Sequence, residues 1–224
     1  MLESLLIPMT AGYMHLASLH GQQVTCEVPQ PPRIYIRPET EATYYDHTFS
    51  IPELTAKGSD TISPYAAHIE THTGGLTEAA IGMTMAMKFG LKKYPNLQLG
   101  CIWYSEITVT LELAPIVYVA SDYPRGSCKY REVKLHEDKH VMVDREIVNK
   151  YAKRIGAALQ RAINDHGARG PHTFERIELI QKDMEDFVGS VLKTEQSLME
   201  EERFRRQQAI DSFEEYERVR KACL

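Results

Sequence analysis

The sequence has no long uninterrupted hydrophobic run. The longest apolar stretch near the start, residues 5–19, is broken by Pro8, Thr10 and His15, and it is shorter than the roughly 20 apolar residues that span a bilayer. We therefore expect no transmembrane span. No lysine or arginine precedes Arg33, so the stretch also lacks the basic start of a signal peptide. Residues 1–30 form either a poor signal sequence, its basic start hidden by a misassigned start codon, or a poorly ordered N-terminal segment.

Positive charge and cysteine are also scarce. The 26 lysines and arginines are outnumbered by 31 aspartates and glutamates, and the formal net charge is -5. A general nucleic-acid binder needs a dense basic surface, so nucleic acid is not an expected partner. The four cysteines are spread too widely for a CxxC metal ribbon and are too few for a disulfide-framework mini-protein. A chain of 224 residues is instead long enough to bury a core of its own.

The cysteines allow two disulfides in three connectivities. Cys101 precedes a strand-like run and Cys128 precedes a helix-like run. We expect these two to pair, because the bridge would hold helix against sheet in an oxidising compartment. The alternative is four ordinary reduced cysteines.

The first half of the chain has the pattern of β-strands. Residues 107–113 alternate branched and polar side chains, as a half-buried strand does, and residues 116–120 form a compact apolar run. Residues 76–93 carry alanine, methionine and leucine without proline, which predicts either a helix or a pair of strands.

The second half is helical in pattern. One helix is predicted from Ser127, a good N-cap, to about His166, and a second from about Thr173 towards Cys223. Apolar residues of the second helix recur at spacings of three and four, so it should pack antiparallel on the first helix or on another subunit. The expected fold is α+β: an antiparallel sheet packed on a long helix within a domain of residues 31–170, followed by a long C-terminal helix over residues 171–224.

The motif that carries chemistry is His136-Glu137-Asp138-Lys139-His140, an HExxH sequence. Two histidines one helical turn apart can present their imidazoles to one metal ion, with the glutamate beside the water that the metal activates. Helical phase places both histidines on the core-facing stripe of the helix. The motif predicts zinc ligands at His136 and His140 and a general base at Glu137. The alternative is a pair of core histidines satisfied by hydrogen bonds.

The third zinc ligand is not fixed by this motif. Asp144 shares the face of the histidines, but it lies a further turn away and its side chain is short, so we expect it to orient the imidazole of His140. The candidate third ligands are on the following helix and at its start: His172, Glu175, Glu178 and Glu185.

A second pair of histidines, His68 and His72, flanks Glu70. On a strand the three side chains would share one face and could contribute a ligand or a separate metal site. The alternative is the polar solvent face of a strand.

Three segments resemble an uncharacterised bacterial family described as predicted zinc-dependent proteases and, more loosely, the zincin metallopeptidases. They are Tyr45-x-His-x-Phe-Ser-Ile-Pro-Glu-Leu54, Cys101-Ile-Trp-x-x-x-Ile-Thr-Val-Thr-Leu-x-Leu-x-Pro115 and Leu135-His-Glu-Asp-Lys-His-Val141. The resemblance covers roughly residues 43–160. It implies a zincin-like sheet over the zinc helix, ligands at His136 and His140, a base at Glu137, and an exported bacterial protein, periplasmic or secreted; a cytoplasmic protein is the alternative.

The sequence thus predicts a zinc-dependent hydrolase, a metallopeptidase that acts on a peptide or protein substrate with Zn²⁺ as cofactor. The alternative function is a non-catalytic interaction module, in which a β-domain presents a long helical hairpin to a partner or to a second copy of the chain. The C-terminal helix is the expected surface for a homo-oligomer.

Overall fold

A computed structural model of the chain describes residues 24–66, 68–69, 71–164 and 166–224. Residues 1–23, which include the proposed signal sequence, lie outside the described residues. The strands are β1 (Arg33–Thr40), β2 (Tyr44–Asp46), β3 (Gly75–Glu78), β4 (Ile81–Tyr94), β5 (Leu99–Leu113), β6 (Ile116–Val119) and β7 (Arg169–Thr173). The helices are α1 (Ile51–Lys57), α2 (Cys128–Asn164), α3 (Phe174–Ile210) and α4 (Phe213–Lys221). The predicted α+β class is confirmed.

The strands form two mixed sheets, so the prediction of an antiparallel sheet is wrong. The larger sheet has the order β1-β5-β4, and β7 also pairs with β5; the smaller has the order β2-β6-β3. Strand β1 is parallel to β5, and β2 is parallel to β6. The alternation of a half-buried strand is the same in parallel and antiparallel pairs, so the sequence pattern could not reveal strand direction.

The main core lies between the larger sheet and the helices α2 and α3. Every second residue of β5 faces it, and these side chains are at most 1% exposed: Ile107, Val109, Leu111 and Leu113. Asp144 of α2 pairs with Arg203 of α3, while Arg154, later in α2, pairs with Glu195, earlier in α3. The two helices are therefore antiparallel, and the apolar stripe of α3 packs into the core of its own chain.

The structure decides between the alternatives for two segments. Of the two structures that the sequence allows for residues 76–93, the pair of strands is confirmed, since these residues form most of β3 and most of β4. Residues 68, 69, 71 and 72 belong to no strand, so the predicted strand around His68 and His72 is wrong, and Glu70 lies outside the described residues.

The C-terminal region also differs, because it is not one helix. Helix α3 ends at Ile210, and α4 begins after Ser212, whose side chain accepts a hydrogen bond from the Glu215 backbone N–H. This N-cap satisfies a free amide at the start of α4 and so stabilises the break at Asp211. No helix in the described part of the chain is both long enough and apolar enough to cross a membrane.

The disulfides join Cys26 to Cys101 and Cys128 to Cys223. The predicted Cys101–Cys128 bridge is therefore wrong. Cys101 lies near the start of β5, whereas α2 begins beside the smaller sheet, which follows the end of β5. Because Cys101 and Leu113 are separated by about 40 Å of extended strand, the two cysteines lie at different ends of the molecule.

Candidate metal centre

The HExxH motif lies on the first half of α2 and faces a cleft of about 1300 Å³. Strand β3 and the α3–α4 junction line other parts of the cleft wall. His136, Glu137 and His140 are 9%, 5% and 8% exposed, so the motif occupies the buried face of the helix, as its helical phase predicts. The cleft gives a small molecule or a peptide access to an otherwise buried group.

A carboxylate from the far end of the chain meets the two histidines. Asp211 Oδ1 is 3.1 Å from His136 Nε2 and 3.2 Å from His140 Nε2, and the two Nε2 atoms are 3.4 Å apart. In a tetrahedral zinc site with bonds of about 2.0–2.1 Å, ligand atoms are about 3.3 Å from one another. The three atoms therefore already have the spacing of three ligands on one tetrahedral ion.

Asp211 reaches this position because the chain turns between α3 and α4. Its backbone is no longer α-helical (φ -78°, ψ 44°), and Ser212 caps the next helix. Sequence reasoning missed Asp211, which is 71 residues from His140. One local signal was available: Ser212 and Glu215 have the S-x-x-E spacing of a capping box, which indicates a new helix at this point.

The four third-ligand candidates do not reach the histidines. Among the described residues, the group of possible metal ligands consists of His136, His140 and Asp211. The candidates lie on β7 and in the first turns of α3: His172, Glu175, Glu178 and Glu185. Because α3 is antiparallel to α2, its start lies beside the end of α2, and only its far end returns to the histidines. His68 and His72 are exposed and also lie outside the group, although His72 lines the cleft.

Gln207 holds the ring of His140. Its Oε1 lies 2.6 Å from His140 Nδ1, while its Nε2 donates to Asp144 Oδ1 at 2.7 Å. Since Oε1 can only accept, Nδ1 carries the hydrogen, and in the neutral ring Nε2 is the nitrogen available to a metal. Arg203 donates to both oxygens of Asp144 at 2.6 and 3.1 Å.

The predicted role of Asp144 is therefore corrected. It is fully buried, but it contacts Gln207 and Arg203 rather than the imidazole of His140. The aspartate side chain is too short to span the helical turn, and the longer glutamine bridges the gap. Asp144 acts on His140 only through Gln207.

His136 has a charged partner on α4. Glu215 Oε1 lies 3.4 Å from His136 Nδ1, and it also accepts from Arg218 at 2.8 Å and from Lys139 at 2.7 Å. The hydrogen bond from Arg218, together with Lys139 and against the effect of partial burial, lowers the pKa of Glu215 to about 2. Glu215 is therefore ionised at neutral pH and favours the tautomer of His136 that leaves Nε2 free.

Glu137 lies between α2 and β3. Thr77 of β3 donates to its Oε2 at 2.9 Å. Burial raises the pKa of Glu137, although the neighbouring histidines and the bond from Thr77 oppose the shift. A buried carboxyl whose pKa is raised binds a proton more readily than an exposed one, which suits a group that must accept and then donate a proton.

The charges of the site suit a divalent cation. Burial opposes the charge on Asp211, yet the adjacent imidazoles of His136 and His140 keep its pKa below the ordinary value. Burial likewise disfavours a charged His140, but Asp211 and Glu137 raise its pKa above the ordinary value. The buried carboxylates thus attract positive charge, which a proton provides in the absence of metal and a cation would provide more fully.

Comparison of the chain with protein-family models, with curated proteins and with solved structures found no match. The resemblance to zinc-dependent proteases therefore stays a prediction, and function is inferred from the residues of the site.

Proposed function

We propose that this protein is a zinc-dependent hydrolase that cleaves peptide bonds, with His136, His140 and Asp211 as metal ligands and Glu137 as general base. The observation that carries the proposal is the convergence of the three ligand atoms, which are 3.1–3.4 Å from one another. It also favours a hydrolase over a non-catalytic interaction module, for which no buried carboxylate is needed beside the histidines.

Zinc is the metal that suits these ligands best. Two imidazoles, one carboxylate and an open fourth position are typical of catalytic zinc. A zinc ion held by these three residues would act as a Lewis acid and would lower the pKa of water, so that water could attack as a nucleophile at neutral pH.

Glu137 moves the proton in the proposed reaction. Its carboxylate accepts the proton that the attacking water releases and then donates it to the leaving amine. Thr77 holds Oε2 at 2.9 Å, which leaves Oε1 for this transfer. Burial raises the pKa of Glu137 above its ordinary value, which makes its carboxylate a stronger base than an exposed glutamate.

The cleft supports a peptide as the substrate. Its volume of about 1300 Å³ exceeds what a single amino acid fills. Strand β3 lines the cleft and pairs only with β6 among the described strands. Its other edge therefore offers backbone hydrogen bonds to an extended chain.

Metal analysis tests the ligand set. Protein purified without added metal should contain one zinc per chain, measured by elemental analysis, and His136→Ala, His140→Ala and Asp211→Ala should each lose it. His172→Ala and Glu185→Gln are matched controls that should retain zinc. Absence of zinc from the wild type, or its retention in Asp211→Ala, would contradict the proposed site.

An activity assay tests the reaction. A fluorogenic peptide library should be cleaved by the wild type, and a chelator should abolish the cleavage. Glu137→Gln should keep the metal but lose at least about 100-fold in rate, as expected for removal of a general base. Cleavage that survives the chelator would exclude the zinc mechanism.

We also propose that the protein works in an oxidising compartment, the periplasm or the cell exterior. The proposal is supported by the two disulfides, which engage all four cysteines, since structural disulfides are rare in the cytosol. Protein isolated without reductant should have no free thiols in a thiol-labelling assay. Four labelled thiols in the folded protein would favour the cytoplasm.

A further inference from the structure

The charges that line the cleft are unevenly distributed about the candidate metal centre. Along α2, Lys129, Val133, His136 and His140 line the cleft at intervals of three or four residues. At a rise of 1.5 Å per residue, Lys129 lies about 10 Å before His136 along the helix axis. Its ammonium is therefore on the N-terminal side of the metal centre.

Lys129 has no acidic partner among the described residues. Its Nζ donates only to the backbone carbonyl of Val219, at 3.1 Å. The other lysines and arginines that line the cleft are each paired with a carboxylate: Lys57 with Glu78, Arg203 with Asp144 and Arg220 with Glu217. Among the described residues that line the cleft, Lys129 is thus the cation that remains free to pair with an anionic ligand.

The opposite end of the cleft carries a free negative charge. Glu200 lies on α3 one turn before Arg203, whose partner Asp144 is one turn beyond His140 on α2. Glu200 therefore lines the cleft on the C-terminal side of the metal centre. It accepts a hydrogen bond from the amide of Gln196 at 2.9 Å and forms no ion pair with a described residue.

We propose that the cleft selects peptides with an acidic group on the Lys129 side of the cleaved bond and a basic group on the Glu200 side. This inference rests on the proposed function. A ligand carboxylate gains a charge-assisted hydrogen bond from Lys129, whereas the paired cations of the cleft are already neutralised. In an extended peptide with about 3.3 Å per residue, the acidic group would lie about three residues from the bond that is cleaved.

The specificity profile of the protein in peptide cleavage tests the proposal. A proteome-derived peptide library is digested, and the residues around each cleaved bond are identified by mass spectrometry. The wild type should enrich aspartate and glutamate on one side of the bond and lysine and arginine on the other. Lys129→Glu should reverse only the acidic preference, and Glu200→Lys only the basic one, each by about 3- to 10-fold, as expected for partly exposed charge pairs.

Two charge reversals outside the cleft lining serve as controls. The control variants are Lys153→Glu and Glu201→Lys. Lys153 lies on the same helix as Lys129, and Glu201 follows Glu200 directly. Both should leave the profile unchanged. A wild-type profile without charge preference, or one that Lys153→Glu changes as much as Lys129→Glu, would overturn the proposed selection.

A binding measurement separates failure of this inference from failure of the proposed function. The probe is a fluorescein-labelled decapeptide with three aspartates at one end, three lysines at the other and alanines between; an all-alanine decapeptide is the reference. Glu137→Gln protein should bind the charged probe more tightly than the reference in fluorescence anisotropy, and Lys129→Glu in that background should weaken the binding by about 3- to 10-fold.

Suppose that the wild type cleaves no peptide and that binding nevertheless depends on charge. The hydrolase proposal then fails, and the inference that the cleft selects charged peptides is supported. If the wild type cleaves peptides and the chelator stops it, but neither profile nor binding depends on charge, the inference fails and the hydrolase proposal stands.

Discussion

At the scale of single residues, the geometry of the proposed metal centre depends on side chains that would not touch the metal. Gln207 fixes the ring of His140, and Asp144 and Arg203 in turn fix Gln207. The chain of contacts runs from a buried ion pair to a ligand nitrogen. Loss of such a partner typically costs about 10- to 100-fold in metal affinity or activity.

We therefore expect Gln207→Leu to weaken zinc binding. Leucine fills a similar space but cannot accept the hydrogen bond from His140 Nδ1, so the ring loses its fixed orientation. The affinity should fall by about 10- to 100-fold, measured by competition with a chromogenic chelator. Gln181→Leu, near the start of α3 and far from the ring, is the control; an equal loss there would show that the effect is not specific to His140.

Gly75 is a second residue on which the site depends. A Cβ atom at this position would lie 2.5 Å from Val133 Cγ1 and 2.7 Å from Glu137 Oε1. We expect Gly75→Ala to push β3 away from α2 and to displace Glu137. Because small displacements of reacting groups have large effects on rate, kcat/KM for peptide cleavage should fall by about 10-fold or more. Gly82→Ala, whose Cβ meets no atom closer than 3.7 Å, should keep full activity in the same assay.

Glu215 should make stability depend on pH. Its pKa is lowered from 4.5 to about 2 by Arg218 and Lys139, so the folded state favours the ionised carboxylate. This stabilisation is complete above the unfolded-state pKa of 4.5 and is lost as the pH falls towards 2.

Metal-free Glu215→Gln protein should therefore be less stable than the wild type at pH 7, by about 1 kcal/mol. The difference should disappear between pH 4.5 and 2, in urea unfolding measured at each pH. Glu214→Gln, which replaces an exposed carboxylate that forms no ion pair with the described residues, should show little difference at any pH. A constant difference for Glu215→Gln across the range would mean that its charge is not responsible.

At the scale of secondary-structure elements, α4 determines whether the third ligand is in place. Asp211 immediately precedes the cap of α4, and Cys223 follows the end of the helix. Between them, Arg218 pairs with Glu132 of α2. The Cys128–Cys223 disulfide thus fastens the far end of α4 to the first residue of α2, and Asp211 is held at the near end.

Removal of this disulfide should lower metal affinity. In the double variant Cys128→Ser/Cys223→Ser the far end of α4 is no longer fastened, so Asp211 must become ordered when zinc binds. We expect the affinity for zinc to fall by about 10-fold or more. Cys26→Ser/Cys101→Ser is the matched control. The two disulfides link residues 95 and 75 positions apart, so they should contribute similarly to global stability. Equal losses of zinc affinity in the two double variants would contradict a specific role for α4.

At the scale of the whole molecule, a metal bound at the proposed centre should stabilise the fold, because the proposed ligands come from distant parts of the chain. Zinc that binds the folded state alone, at 1,000 times its Kd, adds about 4 kcal/mol to the free energy of unfolding. For a domain of this size, that corresponds to a rise in Tm of about 10 °C. Differential scanning calorimetry of the chelator-treated protein with and without zinc should show this shift, and Asp211→Ala should show much less of it.

Local sequence determined the features that depend only on neighbours along the chain. The helix predicted from Ser127 to about His166 is confirmed as α2, Cys128–Asn164. The phase of its apolar residues placed His136 and His140 on the buried face, because helical periodicity fixes which side chains share a side. The alternation of residues 107–113 likewise identified β5 and its core-facing residues.

Only the tertiary structure decided the features that join distant segments. Strand direction and the pairing of the four cysteines depend on which distant segments meet in the folded chain. The meeting of Asp211, rather than Glu175 or Glu185, with the histidines depends on the antiparallel packing of α2 and α3. Helical periodicity fixes the face on which a side chain lies, but it carries no information about which residue 71 positions away will meet that face. The histidine pair could therefore be predicted from the sequence. The position of Asp211 could not, because it depends on the break between α3 and α4 and on the packing of the whole chain.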